Sequence, residues 1–192
     1  MKNISILLTV AAISLSSIYA ESYTLDKKKS SVEWYATKVT GKHNGTIDIK
    51  SASFKGSKGS YEAEVLMSMN SITVLDVKDP KYNAKLTRHL KSDDFFGADK
   101  YPVSRLIITS TKKKAGSNYQ VSGKLTIRDK TQDISFPARI DFDSTGFKAE
   151  GTLTIDRSKY DVKYGSGSFF KGLGDKLIHD EFKIKFKINA VR

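Results

Sequence analysis

From Tyr23 onward, apolar side chains recur at every second position over long stretches. Phe182, Ile184, Phe186, Ile188 and Ala190 alternate with Lys183, Lys185, Lys187 and Asn189. Ile134, Phe136, Ala138, Ile140 and Phe142 alternate with Ser135, Pro137, Arg139 and Asp141. Successive side chains of a strand point to opposite faces, so each stretch predicts a strand with one oily and one wet face. The same alternation runs through Val121, Gly123, Leu125 and Ile127, through Phe147, Ala149, Gly151, Leu153 and Ile155, and through Tyr61, Ala63, Val65, Met67 and Met69. Half-buried strands of this kind pair antiparallel.

Residues that tolerate positive φ or bond their own backbone separate the strands: Asn44-Gly45, Lys58-Gly59, Gly116-Ser117-Asn118, Asp129-Lys130 and Thr145-Gly146. The spacing predicts strands near 30–40, 46–55, 60–70, 103–113, 118–128, 131–143, 146–156 and 179–190. The expected fold is all-β, an eight-stranded antiparallel up-and-down barrel. Two segments interrupt the period. Between 79 and 97, Tyr82, Leu86, Leu90 and Phe95-Phe96 fall at helical spacing. There Asp79-Pro80 offers a cap with proline at the first helical position, and Ser92-Asp93-Asp94 can cap a second short turn. This predicts a helical insertion over one barrel end. Between 157 and 178 lies a glycine-rich connection around Phe169-Phe170, a long loop with the composition of a lid.

The interior of an eight-stranded barrel is filled by side chains or holds one ligand, according to the size of the inward residues. Ala36, Ala63, Gly123, Ala138, Ala149 and Gly151 are small and fall on the apolar phase. They leave space unless large neighbours lean across it, and the pattern alone fits a solid core equally well. Met67 and Met69 suit a wall that moulds to a chain, or simple gap filling. A hollow with such walls would take an acyl or isoprenoid tail. At roughly 0.8 kcal/mol per buried methylene, about ten methylenes would contribute ~8 kcal/mol before the chain's ordering entropy is subtracted.

Composition narrows the setting. Lys2 is the only charge before Glu21, and an apolar run from Ile4 to Ile18 ends at Tyr19-Ala20, the order of a secretory signal peptide. Residues 1–20 are therefore expected to be removed, with cleavage after Ala20. Ile18 is bulky for its place and leaves a shifted site open, and a retained anchor is the alternative. The 192 residues less these 20 leave 172, one domain from 21 to 192. The expected location is the periplasm. With no cysteine there is no disulfide, thiolate metal site or cysteine nucleophile. The formal charge of +12 attracts anionic surfaces in general. Much of it is lysine at every second strand position, as in Lys183, Lys185 and Lys187, which reads as a solvated face and an edge guarded against aggregation.

Several fragments share an order and spacing with a known family. Trp34-x-Ala36-x-Lys38 is followed by His43-x-Gly45. His89-Leu90 precedes Asp94-Phe95-Phe96 and Tyr101-Pro102. Val121-x-Gly123-x-Leu125-Thr126-Ile127, Ile155-Asp156-Arg157, Tyr160 and Tyr164-Gly165 complete the set. Across nearly the whole mature chain they resemble the YceI-like proteins, exported lipocalin-like barrels associated with polyisoprenoids and other long-chain amphiphiles. Asp129 stands where many members have glycine, and the loop around Phe169-Phe170 is particular to this chain. Ligand identity is accordingly the least transferable feature, since a lid and a head-group site can change while the barrel stays.

The expected cavity residues are Trp34, Ala36, Met67, Leu106, Ile108, Leu125, Phe136, Ile140 and Leu153. Lys38 shares the phase of Trp34 and could meet an anionic head, or could be solvated if the strand bulges before it. His43 reads as a turn residue that the resemblance raises to a head-group candidate. Arg157 reads as a loop anchor or ion pair, with ligand contact as the alternative. Phe95, Phe96, Phe169 and Phe170 could line a portal or simply pack on the barrel end. His43, His89 and His179 have no metal-ligand spacing, and neither metal nor cofactor is expected.

The chain has no G-x-S-x-G elbow, no phosphate-cradling glycine motif and no histidine beside an evident serine nucleophile, so no enzyme is expected. The reading reached is non-catalytic binding, carriage or storage of a long-chain amphiphile, polyisoprenoid or fatty-acid-like. A tie to stress protection or isoprenoid metabolism stays open. A polyanion-binding module, a small outer-membrane barrel and a lipid-modifying enzyme are the alternatives. The expected partner is the lipid, with transient membrane-surface contact and a homodimer as further expectations and no nucleic acid.

Overall fold

The computed structural model describes residues 21–57 and 60–192. The expected signal peptide and the Lys58-Gly59 turn lie outside the described residues. The strands are β1 (Glu21–Leu25), β2 (Ser31–Lys38), β3 (Gly41–Thr46), β4 (Asp48–Ser57), β5 (Ser60–Ser68), β6 (Val103–Lys113), β7 (Asn118–Ile127), β8 (Lys130–Asp143), β9 (Gly146–Asp156) and β10 (Ile178–Val191). One α-helix among the described residues, α1 (Pro80–Lys91), stands between β5 and β6.

Ten strand segments form eight staves. β1 and β2 run in the same direction along β10, with Leu25 opposite Ala190 and Ser31 opposite Lys187, so they are one stave interrupted at 26–30. β3 and β4 are a second, broken only at Ile47, and pair with β2 and β1 respectively. Each later strand pairs antiparallel with the next, and β10 closes the ring by pairing with β9 on one side and with β2 and β1 on the other. The result is a closed antiparallel barrel. Apolar side chains face inward and lysines outward, the reverse of a barrel that spans a membrane.

The barrel has two rims. The terminus rim carries Glu21, Arg192 and the β6–β7 and β8–β9 turns. The insertion rim carries the β2–β3 turn, α1, the β7–β8 turn and the long loop. Helix α1 begins as the sequence expects, with Asp79 Oδ1 accepting from the N–H groups of Lys81 and Tyr82 at 2.8 and 3.1 Å. Ser92 closes it, its Oγ donating to His89 O at 2.8 Å, and its carbonyl then accepts from Phe95 and Gly97 in the following turns.

Three expectations need correction. Asn44-Gly45 is not a turn: both residues lie inside β3, and the chain reverses at 39–40. Gly45 is needed for space. A Cβ there would stand 1.8 Å from Thr73 O, which accepts from Trp34 Nε1 at 3.0 Å across the glycine. Thr73 and Leu75 donate to the carbonyls of Thr46 and Asn44, covering the edge of β3 where β5 has already ended. The lysines of β10 do not guard an edge, because β10 is paired on both sides. Of the six small inward residues, two leave no space. The ring of Phe186 lies over Gly151, 2.8 Å from where a Cβ would be, and Gly123 admits Ile107 O to within 2.1 Å of its Cβ position.

Gly45→Ala should cost about 1–3 kcal/mol, the usual penalty for overpacking, because the obstacle is backbone. Urea denaturation measures it, and an unchanged midpoint would contradict the role given to Gly45. The variant should also shift the emission of Trp34 through loss of its bond to Thr73.

Candidate functional site: an apolar hollow through the barrel

The inward phase of the staves encloses a cavity of about 240 Å³, walled almost wholly by hydrocarbon. Ala36, Ala63, Ala138 and Ala149 provide the room, since a larger residue at any of them would project into the space. Leu106, Ile108, Ala149, Ile184 and Phe186 are only half-buried although they point into the barrel, which is how a wall facing a hollow differs from a packed core. The interior is therefore not a solid plug of side chains.

Aromatic rings narrow the terminus rim. Tyr23 and Phe54 meet Phe147 edge-on at centroid distances of 5.2 and 5.1 Å, and Tyr61 stacks on Phe142 at 4.5 Å. These contacts follow from cross-strand placement, with Phe142 opposite Phe147 and Phe54 opposite Ala63. At the other end the insertion lays Leu90, Phe95 and Phe96 over the hollow. Phe95 is buried, and its ring meets those of His89 and Tyr164 at 5.0 and 5.4 Å, joining helix, insertion and long loop.

Arg157 fixes the long loop. Only 3 % of it is exposed. Its Nε donates to His179 O at 3.2 Å, Nη1 to Val162 O at 2.9 Å and Tyr164 O at 2.8 Å, and Nη2 to Ile178 O at 2.9 Å. Asp180 lies 3.3 Å from Nη2. A glycine-rich connection has many carbonyls and few side chains to satisfy them, and a planar guanidinium supplies several donors at once. Burial, the main influence, lowers the pKa of Arg157, and Asp180 and Asp156 oppose the shift. Burial also acts on Asp180 and would raise its pKa. The Ser166 and Ser168 hydroxyls and the charge of Arg157 outweigh it and hold the carboxyl below its ordinary 3.8. A second arginine, Arg128, sits in the left-handed region at φ 56° and donates to Phe95 O at 3.3 Å and Asp161 O at 3.0 Å. It ties the insertion to the loop.

Trp34, Ala36, Met67, Leu106, Ile108, Leu125, Phe136, Ile140 and Leu153 all line the hollow, as do Phe95, Phe96 and Arg157. Four sequence candidates stand elsewhere. Lys38 is half-buried at the last position of β2 and is not part of the wall. His43 Nδ1 lies 2.8 Å from Asp76 Oδ2, so its ring is held by a carboxylate of the insertion. Phe169 and Phe170, 43 % and 49 % exposed, lie on the outer surface of the loop, where Lys163 stands over the Phe169 ring. Arg157 is a loop anchor whose donors are engaged by protein carbonyls, not a free head-group ligand. Sequence reasoning passed over Phe182, Ile184 and Phe186 as wall residues although their alternation marked the inward phase. It also passed over Arg128, whose role has no local signal.

Comparison with known proteins agrees with this architecture. A family model described as a YceI-like domain matches residues 23–190. A UPF0312 protein of Pseudomonas putida is 26% identical over 162 residues, 78% of this chain and 81% of that protein. Among solved structures, Burkholderia cenocepacia BcnA superposes with a TM-score of 0.70 at 26% identity, covering 88% of this chain and 99% of the other. A polyisoprenoid binding domain from Saccharophagus degradans, implicated in plant cell wall breakdown, superposes with a TM-score of 0.65 at 16% identity over 88% and 97% of the two chains.

Arg157→Met should destabilise the protein by about 3–5 kcal/mol, the range for removing one partner of a buried, hydrogen-bonded charge. Hydrogen exchange should accelerate selectively across 158–178, and Arg157→Lys should rescue little, because one ammonium cannot span the same carbonyls. Native exchange rates in that segment of Arg157→Met would contradict the anchor. Because the Asp180 pKa is depressed on folding, its contribution is complete above the ordinary 3.8 and is lost as pH falls through the folded value. The difference in melting temperature between wild type and Asp180→Asn should therefore be largest at neutral pH and shrink in acid.

Proposed function

The chain belongs to the YceI-like domain family, and we propose from that premise that it binds and carries a long-chain amphiphile, isoprenoid or fatty-acid-like, in the barrel without catalysing its conversion. The observation that carries the reading is the hollow itself: about 240 Å³ enclosed by hydrocarbon in a closed sheet. That volume is somewhat below the ~300–1,000 Å³ of most small-molecule pockets, and its shape, reaching from one rim toward the other, suits a flexible chain. An empty apolar cavity gives up dispersion contacts along its whole lining, and a tail restores them while leaving water.

The polyisoprenoid-binding neighbour from Saccharophagus degradans supports the chemical class, since it shares the fold. The signal-like N-terminus supports a periplasmic setting. The outward lysines would favour passing contact with anionic membrane surfaces during loading and release.

Native mass spectrometry of protein purified from its own host, without added lipid, should show a mass excess that organic extraction removes. Ala149→Phe should fill the centre of the hollow and weaken binding of long-chain alcohols and acids by about tenfold or more, with the fold retained, since each displaced methylene forfeits ~0.8 kcal/mol. An unloaded protein that takes up no long-chain alcohol, acid or isoprenoid in calorimetry would overturn the reading.

A further inference from the structure

The staves are laced to one another by backbone pairing, and two corners of the wall stand out because the lacing stops early. One is at the insertion rim between β8 and β9. Their pairing ends at Ala138–Gly151, beside Pro137, although β8 begins at Lys130 and β9 runs on to Asp156. The long loop covers this corner: the 3-10 turn Arg157–Tyr160 packs on β8, Tyr160 and Val162 are buried, and Gln132 Nε2 donates to Lys159 O at 3.1 Å.

The other corner is at the terminus rim between β5 and β6. Their ladder ends at Ala63–Ile108. β5 nevertheless continues toward the rim paired with β4, through Tyr61–Gly56, and β6 continues paired with β7, through Lys113–Tyr119. A bulge between Ile108 and Ser110 shifts the phase of β6 and brings Thr111 to the hollow. In place of a ladder pair, the Tyr61 N–H donates to Thr111 Oγ1 at 3.0 Å. Glu62 lies between the inward residues Tyr61 and Ala63, on the outward phase of β5, and still lines the cavity. Glu62 thus borders the hollow at the position where the β5–β6 ladder has already ended. Phe142, stacked on Tyr61, is 36 % exposed at the same place.

The opposite end offers no comparable gap. His179 lines the cavity there, but its Nδ1 lies 2.7 Å from Thr37 Oγ1. Val39 N–H donates to Leu177 O at 3.1 Å, and Arg157 holds the carbonyls of Ile178 and His179. The β10–β2 bulge is laced shut.

We infer that the corner between β5 and β6 seats the polar head of the bound amphiphile. The inference rests on lipid carriage by the same hollow. A polar head left among hydrocarbon would lose its water without gaining a partner. At the corner it meets solvent together with the Thr111 hydroxyl and the outward positions around Glu62. Glu62 stands directly opposite Lys55 of β4 on the outer face, and its neighbour Glu64 pairs with Arg105, so a polar head at this corner finds charged side chains of both signs. The tail then runs toward Trp34, which is bonded to Thr73 of the insertion.

Trp34 is the sole tryptophan of the chain, so its emission reports which end of a ligand lies near it. Two long-chain alcohols provide the probe, one brominated at the chain terminus and one beside the hydroxyl, with binding of each measured separately by calorimetry. The terminal bromine should remove most of the Trp34 emission and the head-proximal bromine little of it. The reverse order, or equal quenching by the two bound alcohols, overturns the head assignment and leaves carriage standing. Failure of both alcohols to bind overturns carriage itself and this inference with it. Glu62→Lys, a change on the exposed face, should shift the affinity ratio of long-chain acid to alcohol by about tenfold toward the acid, as expected when an opposite charge replaces a like one. An unchanged ratio overturns the role of Glu62 at the head.

Discussion

Backbone pairing around a closed ring is the constraint on which the rest of this structure depends. Every N–H and C=O in a wall facing hydrocarbon on one side needs a partner, and only a sheet that returns on itself supplies them all. β10 carries the closure, with β9 on one flank and β1 and β2 on the other. Once the ring is closed, the period of two leaves no choice about direction: one phase faces inward on every stave. Alanines on that phase then become volume, because no neighbouring stave can move inward to fill it.

The rims are held by other means. Strands that end must give up their ladder, and the connections that take over are rich in unpaired carbonyls. Arg157 and Arg128 answer this by spreading guanidinium donors over the loop and the insertion. Trp34 does the same from the wall, reaching over Gly45 to a carbonyl of the insertion. The insertion rim thereby becomes a continuous cover, and Phe95 sits at its centre among His89, Tyr164 and the end of the hollow. Three residues that a sequence would nominate for ligand chemistry are occupied in this construction: Arg157 by carbonyls, His43 by Asp76, and Trp34 by Thr73 as well as by the cavity.

Where the pairing lapses, the wall of the hollow has to be completed by something other than a ladder. The β5–β6 corner and the β8–β9 corner begin as the same defect, two strands that part before their ends. A loop with buried Tyr160 and Val162 fills one, while a single side-chain bond from Thr111 spans the other. The difference lies in what the neighbouring connections can reach. The 157–177 loop is long enough to fold back against β8, and the short turns of the terminus rim are not. The bulge after Ile108 is what carries a threonine hydroxyl to the inner face of that stave.

Alternation, a capped helical insertion and a glycine-rich return were written in the chain, and they determined the strands, the antiparallel order, the barrel and the set of oily residues that share its inside. These features are local: they depend on side-chain direction along one strand or on a cap such as Asp79-Pro80, and they survive any arrangement of neighbours. The break of the first stave at 26–30, the place of Asn44-Gly45 within a strand, the outward position of Phe169 and Phe170 and the inward turn of Thr111 were decided only by the fold. Each depends on what lies across from it: Gly45 on a carbonyl from residue 73, Thr111 on a bulge in its pairing with β7, the loop phenylalanines on where Arg157 pins the chain. Whether alanines on the inner phase make a cavity or a packed core belongs to the same class. Free volume is a property of all the staves together, and no single stretch of sequence contains it.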